Sequence, residues 1–247
     1  MPAPTLLVFG DSLSFQGPDG PYPSDEARLW PNLAAAALGG RTELFAGSGW
    51  TARDAFWALS GDPRVWSTLP KADVLVLAVG SMDTLPSPLP TYLREGLRYL
   101  RPDALRRFVR TRYLAAQPWL ARATRGRPVA LPAELTVRYL DKMAGSIRAL
   151  RPGLPAVAVL PPVHRAASYG FVHTGRGESV RLLRTWGEQA GVPLLDLADL
   201  VGEHVLSGRG NPDGIHWGWE GHERVGKALA ELAGRLLAGK TDEHHVG

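Results

Sequence analysis

The stretch "LLVFGDSLSF", residues 6–15, passes from four apolar residues directly into Gly10, Asp11, Ser12 and Leu13. A continuous apolar run closed by glycine reads as a buried strand and the tight turn that follows it. Similar runs recur at TLLVF (5–9), TELFA (42–46), DVLVLAV (73–79), AVAVL (156–160) and PLLDL (193–197). Between them lie longer amphipathic stretches: ARLWPNLAAAAL from Ala27, ARDAFWAL from Ala52, ESVRLLRTWGEQAG from Glu178 and EGHERVGKALAELAGRLL from Glu220. Short apolar strands alternating with helices predict βαβ units, hence an α/β fold whose parallel sheet is covered by helices on both faces.

One connection is too long for this scheme. Between Val79 and Ala156 the chain spends more than seventy residues where a βα unit needs about thirty. Most of it reads as helix, including YLREGLRYL (92–100) and LRRFVRTRYLAAQPWL (105–120), interrupted by Pro102, Pro118, Pro128 and Pro132. The expectation is one domain over 1–247 with a helical, arginine-rich insertion or lid at about 86–142. TDEHHVG, 241–247, is expected to fray.

With 45% hydrophobic and 21% charged residues the composition is that of a globular protein and excludes fibrous or disordered classes. The net charge of +4 is uneven: between Arg94 and Lys142 eleven Arg and one Lys face Glu95, Asp103, Glu134 and Asp141, a local balance of +8. Such an island either meets phosphates or carboxylates or forms a solvated helical face. Having no cysteine excludes disulfides, a thiolate nucleophile and cysteine-held metal sites. MPAPTLLVFGD lacks the features of a signal peptide, and no run approaches the roughly 20 apolar residues of a membrane span. The expectation is therefore a soluble, cytoplasmic protein with no membrane span and no nucleic-acid partner.

In open α/β sheets ligands bind beyond the carboxyl ends of the strands, which is where Gly10, Asp11 and Ser12 fall. A serine there needs a base to take its proton. NPDGIHWGWEGH (211–222) offers one, with Asp213 and His216 three residues apart on a glycine-containing loop. A carboxylate behind the distal ring nitrogen fixes the imidazole's tautomer and steadies the imidazolium. His164, after the AVAVL strand, is in position to line a pocket; His173, His204 and His222 read as loop or helix residues, and His244 and His245 belong to the tail.

GDSL at 10–13, with DGIH at 213–216 and EGH at 220–222, resembles the SGNH, or GDSL, family of serine esterases and acyltransferases over nearly the whole chain apart from the insertion. The resemblance implies a flavodoxin-like three-layer α/β/α sandwich with a five-stranded parallel sheet. It assigns Ser12 as nucleophile and Asp213 and His216 as acid and base. The family's S-G-x-T block matches Ser48, Gly49, Trp50 and Thr51, which makes the backbone N–H groups of Ser12 and Gly49 the oxyanion donors.

The family's G-x-N-D block departs from pattern as Gly80, Ser81, Met82 and Asp83. A thioether stands where asparagine would donate, and losing one such donor typically slows chemistry by about 10²- to 10³-fold. Either two backbone donors suffice or another group takes the place, with the Trp50 indole as one option and a plain aromatic wall as its other role. Asp11, Met82, Asp83 and His164 are further candidates for substrate contact. Trp217 and Trp219 flank the Asp213–His216 loop, either stacking on substrate or filling core.

LWPNL (29–33), GWTARD (49–54), GSMDTLPS (80–87), YLDK (139–142), LPPVH (160–164) and LSGRGNPDGIHW (206–217) are similar to an acyltransferase branch of that family. This resemblance implies transfer of an octanoyl group from octanoyl-coenzyme A to a glucose hydroxyl of a glucosylglycerate-type acceptor, through an acyl-serine, with no cofactor and no metal. The arginines of the insertion are then available to coenzyme A phosphates or to a glycerate carboxylate. Two rivals remain on residues alone: an esterase or thioesterase using the same triad, and a non-catalytic module binding acyl-coenzyme A or carbohydrate. Flavin or nucleotide binding has little support, because no glycine-rich phosphate loop follows the first strand.

Overall fold

The computed structural model describes residues 3–89, 93 and 96–243. The five apolar runs form one sheet: β1 (Thr5–Gly10), β4 (Arg41–Ala46), β5 (Val74–Ala78), β6 (Ala156–Leu160) and β7 (Leu194–Asp196), in the order β4-β1-β5-β6-β7. All pairings are parallel. Numbered among themselves the strands run 2-1-3-4-5, the doubly wound flavodoxin order. β2 (Gln16–Gly17) and β3 (Gly20–Pro21) make a small separate hairpin after the first turn.

Helices cover both faces: α1 (Trp30–Ala37), α2 (Ala52–Gly61), α3 (Pro63–Thr68), α4 (Asp103–Ala123), α5 (Ala133–Leu150), α6 (Gly175–Ala190), α7 (Leu197–Leu206) and α8 (Trp219–Glu243). Alternate side chains of a strand point to opposite faces, so β1 and β5 feed two cores. Leu7, Phe9, Leu75 and Leu77 pack with Leu59 of α2, Leu140, Met143 and Ile147 of α5, and Leu183 of α6. Leu6, Val8, Val74 and Val76 pack with Trp30 of α1, Val201 of α7, and Val225 and Leu229 of α8. The result is three layers, α/β/α.

Several boundaries differ from expectation. α1 begins at Trp30 rather than Ala27, because Pro31 has no N–H to give the carbonyl at 27. α3 and α7 were not foreseen; both are short and follow strand or helix ends closely. α4 runs through Pro118 instead of stopping there. The carbonyl that Pro118 leaves without a partner belongs to Leu114, on an exposed turn where water reaches it. α5, whose start was assigned to the insertion, buries Leu140, Met143, Ala144 and Ile147 on the sheet, so the stretch standing outside the core ends before Ala133. α8 extends through residues 241–243, expected to fray; His244, His245, Arg94 and Glu95 lie outside the described residues. Among the described residues no helix is long and apolar enough to cross a membrane.

Leu140 is fully buried where α5 meets the sheet. Leu140→Ala should lower unfolding free energy by about 2 to 5 kcal/mol, read as a drop in the urea midpoint with native far-UV circular dichroism retained. A loss under about 1 kcal/mol would contradict this packing.

Candidate active site

Ser12 opens a one-turn 3-10 helix, Ser12–Ser14, directly after β1. Asp11 caps that turn, its Oδ1 accepting from the Leu13 N–H at 2.9 Å, and the Trp30 indole donates to the Leu13 carbonyl at 3.0 Å. These bonds hold the hydroxyl at the carboxyl edge of the sheet, where β1 and β5 lie side by side.

The partner loop arrives from the other end of the chain. Asn211 Oδ1 accepts from the Asp213 N–H, and Asn211 Nδ2 donates to the Gly17 carbonyl, tying the loop to the hairpin at 3.1 Å in each case. Gly214 adopts φ +73° and runs so close to the Arg165 backbone that a Cβ would collide with its carbonyl; the Gly214 carbonyl accepts from Arg165 N–H at 2.7 Å. Asp213 Oδ1 then accepts from the amides of Ile215 and His216, at 2.8 and 3.0 Å, which leaves Oδ2 for the imidazole.

The three side chains meet. Asp213 Oδ2 lies 2.5 Å from His216 Nδ1, and His216 Nε2 lies 2.8 Å from Ser12 Oγ. An ionised carboxylate only accepts, so Nδ1 carries the proton and Nε2 accepts from the serine hydroxyl. Burial alone would raise the Asp213 carboxyl, but the His216 ring and the two amides outweigh it and hold Asp213 below the ordinary carboxylate range. Ser12 and His216 are buried while Asp213 reaches solvent.

Asp11, Ser12, Leu13, Met82, Leu85, Pro162, Val163, His164, His173 and Ile215 surround a cleft together with Ser81. The cleft is narrow, about 20 Å³, room for about one water molecule. The amide of Ala166 donates to His164 Nδ1 at 3.1 Å, which puts the ring proton on Nε2. Thr84 Oγ1 gives its proton to the Ser81 carbonyl and accepts from His173 Nε2, both at 2.8 Å. The rings of His164 and His173 lie against each other at 4.3 Å, tilted by 46°. Burial lowers His164, and burial, then His164 and Arg176, push His173 down to about 3, so both are neutral near pH 7. The thioether of Met82 occupies the wall with its methyl near Gly49. On the same walls the Ser81 hydroxyl is buried with no partner among the described residues.

Other candidates from the sequence lie elsewhere. Trp50 does not line the cleft; its indole N–H packs on Gly47 and its ring on the α2 side of the core. Trp217 is only 1% exposed and fills the core on the α8 side, because the loop turns it inward after His216. Trp219 also stands outside the cleft, with one face under the Arg28 guanidinium at 4.0 Å and its edge against Tyr22 at 4.9 Å. Asp83 faces the protein instead of the cleft: both its oxygens accept from Ala52 N–H at the start of α2, and Thr136 donates to Oδ1 at 2.7 Å. His204 accepts from Gly218 N–H and His222 from Trp30 N–H, roles that hold the loop and α1. His173 was missed as a cleft residue; its only signal was a place in the loop following β6.

The model of the GDSL-like lipase/acylhydrolase family matches residues 8–224. The chain belongs to that family. It is 52% identical over 232 residues to a diglucosylglycerate octanoyltransferase from Mycolicibacterium hassiacum, covering 92% of this chain and 95% of the relative. The Mycobacterium tuberculosis protein of the same name is 49% identical, with 92% and 93% covered. Among solved structures, a lipase/acylhydrolase from Enterococcus faecalis superposes with a TM-score of 0.61 at 17% identity, covering 94% of this chain and 96% of that one. A carbohydrate acetylesterase from Sinorhizobium meliloti gives 0.58 at 18%, with 94% and 99% covered. These structural likenesses establish the GDSL-type fold.

Within this GDSL-type fold, burial raises two carboxyls beneath the cleft, Asp11 to about 6 and Asp83 to about 7. A carboxyl whose folded value is raised contributes most stability below its unfolded value, and that contribution fades as pH rises through the folded value. Asp83→Asn removes the contribution, so the difference between variant and wild type should shift in the variant's favour by about 2 to 3 kcal/mol from pH 5 to pH 8. Urea unfolding at the two pH values measures this. An unchanged difference would show that Asp83 is ionised throughout.

Proposed function

We infer that the chain is a serine-dependent acyltransferase that moves an octanoyl group from its coenzyme A thioester to a glucose hydroxyl of diglucosylglycerate. The observation that carries this reading is the identity of about half over 92% of the chain to two diglucosylglycerate octanoyltransferases. The hydroxyl–imidazole–carboxylate row supports it with a matching chemistry.

In the first half-reaction Ser12 Oγ attacks the thioester carbonyl as its proton passes to His216 Nε2. Asp213 steadies the imidazolium. The amides of Ser12 and Gly49 donate to the developing oxyanion. The tetrahedral adduct collapses, the carbon–sulfur bond breaks, and the proton on Nε2 goes to the departing thiolate. Octanoyl-Ser12 remains.

In the second half the acceptor hydroxyl gives its proton to Nε2 and attacks the ester carbonyl. The bond to Ser12 Oγ breaks, and the proton returns to that oxygen. Transfer wins over hydrolysis only if the acceptor is held in line and water is kept out. The narrow cleft over Ser12, walled by Leu13, Met82, Leu85, Val163 and Ile215, suits that need.

Ser12→Ala should reduce octanoyl transfer by about 10⁴-fold or more, and Asp213→Asn by about 10³- to 10⁴-fold, followed by thiol release and product mass. Wild-type thiol release should depend on diglucosylglycerate. Release of free octanoate at the same rate with and without the acceptor would make the enzyme a thioesterase and overturn this reading.

A further inference from the structure

A cavity of about 580 Å³ lies between α4 and the 3-10 turn Ala167–Tyr169. That volume falls within the range of small-molecule sites, about 300 to 1,000 Å³. Its walls carry four guanidiniums, from Arg98, Arg106, Arg107 and Arg110, together with Tyr113 and Tyr169. Arg106, Arg110 and Tyr113 recur at helical spacing along one face of α4, with Arg107 beside them. Asp103 pairs with Arg106 at 3.3 Å, while no carboxylate among the described residues pairs with Arg107 or Arg110. Arg107 and Arg110 thus turn two guanidiniums to the hollow with no carboxylate against either among the described residues, a charge that an anion filling it would offset.

The cavity adjoins the cleft of Ser12. Leu85 lines the cleft and its neighbour Pro86 lines the cavity. The ring of Tyr169 meets the ring of His164, another cleft residue, edge-on at 5.8 Å. The two spaces therefore share a wall. α4 is held to the body by its C-terminal half: its buried residues are Gln117 and Ala121, and a Cβ on Gly170 would come within 2.5 Å of the Pro118 carbonyl oxygen. The half that carries the cavity's arginines stands toward solvent, with Leu105 and Phe108 exposed.

We propose that this arginine-lined cavity seats the phosphorylated nucleotide end of the acyl donor, leaving the thioester end to reach Ser12 across the shared wall. The proposal rests on the octanoyltransferase reading and adds the donor's place of binding. Charge selects the donor over the acceptor: one glycerate carboxylate needs a single bidentate arginine, whereas a 3′-phosphate and a diphosphate offer anionic oxygens for the guanidiniums of both Arg107 and Arg110. Mixed apolar and aromatic walls suit the base and ribose.

The test compares wild type, the double variant Arg107→Ala/Arg110→Ala, and Arg112→Ala, an exposed arginine of the same helix that does not line the cavity. Adenosine 3′,5′-bisphosphate binding is measured by calorimetry on the full chain. Steady-state rates are measured with octanoyl-coenzyme A and with octanoyl-N-acetylcysteamine, a thioester that carries no phosphate. In the double variant KM for octanoyl-coenzyme A should rise about 30-fold or more and bisphosphate binding should weaken to match. KM for diglucosylglycerate and turnover of the phosphate-free donor should stay at wild-type values, and Arg112→Ala should change neither.

Unchanged KM for octanoyl-coenzyme A overturns the proposal, as does a raised KM for diglucosylglycerate or an equal loss with both donors. If wild type turns over neither donor, the octanoyltransferase reading falls, and the calorimetric arm still decides the cavity: binding lost in the double variant supports the site, and no binding to wild type removes it.

Discussion

A parallel sheet sends every strand's carboxyl end to the same edge, and the order β4-β1-β5-β6-β7 makes β1 an inner strand. The turns after β1 and β5 are thereby neighbours, and so are the residues they carry, Ser12 and Met82, on one cleft. The loop after β6 brings His164 and His173 to the same edge. α8 packs beside α1 on the opposite core, which places the loop before it within reach of Ser12 although 204 positions separate His216 from the serine. The site thus follows from strand order and needs no long-range strain.

Beneath the cleft lies a layer of buried polar groups that fixes the loops to one another. Asp83 links the turn after β5 to α2 and α5 through Ala52 and Thr136. His222, pushed down to about 4 chiefly by burial, stays neutral and joins α1 to the first hairpin through Trp30 and Gln16. The buried carboxyls favour acid pH and the buried imidazoles oppose it, because each resists becoming charged on folding. Stability near neutral pH is the balance of the two sets. A polar layer of this kind fixes geometry because each member, once unpartnered, would cost about 1 to 3 kcal/mol.

The sheet was legible because its inner strands β1, β5 and β6 are buried along their whole length and so are written as apolar runs. The edge strands β4 and β7, only partly covered, still keep short apolar cores at Leu44–Phe45 and Leu194–Leu195. Ser12, Asp213 and His216 were legible as a group because a hydroxyl, an imidazole and a carboxylate at those motif positions have few other reasons to occur together. Residues whose role depends on side-chain direction were not. Trp217 and Asp83 sit one residue from cleft groups, yet both turn into the protein, and a sequence carries no sign of that turn. His173 reaches the cleft through the path of an irregular loop that has no periodicity to read. Pro118 argued for a helix break that an exposed turn made unnecessary.

The most direct test of the acyl-enzyme is intact-mass spectrometry of the protein after brief mixing with octanoyl-coenzyme A in the absence of acceptor, followed by peptide mapping. The expected result is the mass of one octanoyl group on Ser12, absent from Ser12→Ala and discharged when diglucosylglycerate is added. An octanoyl group carried on another residue, or transfer to acceptor that persists undiminished in Ser12→Ala, would contradict a nucleophilic Ser12.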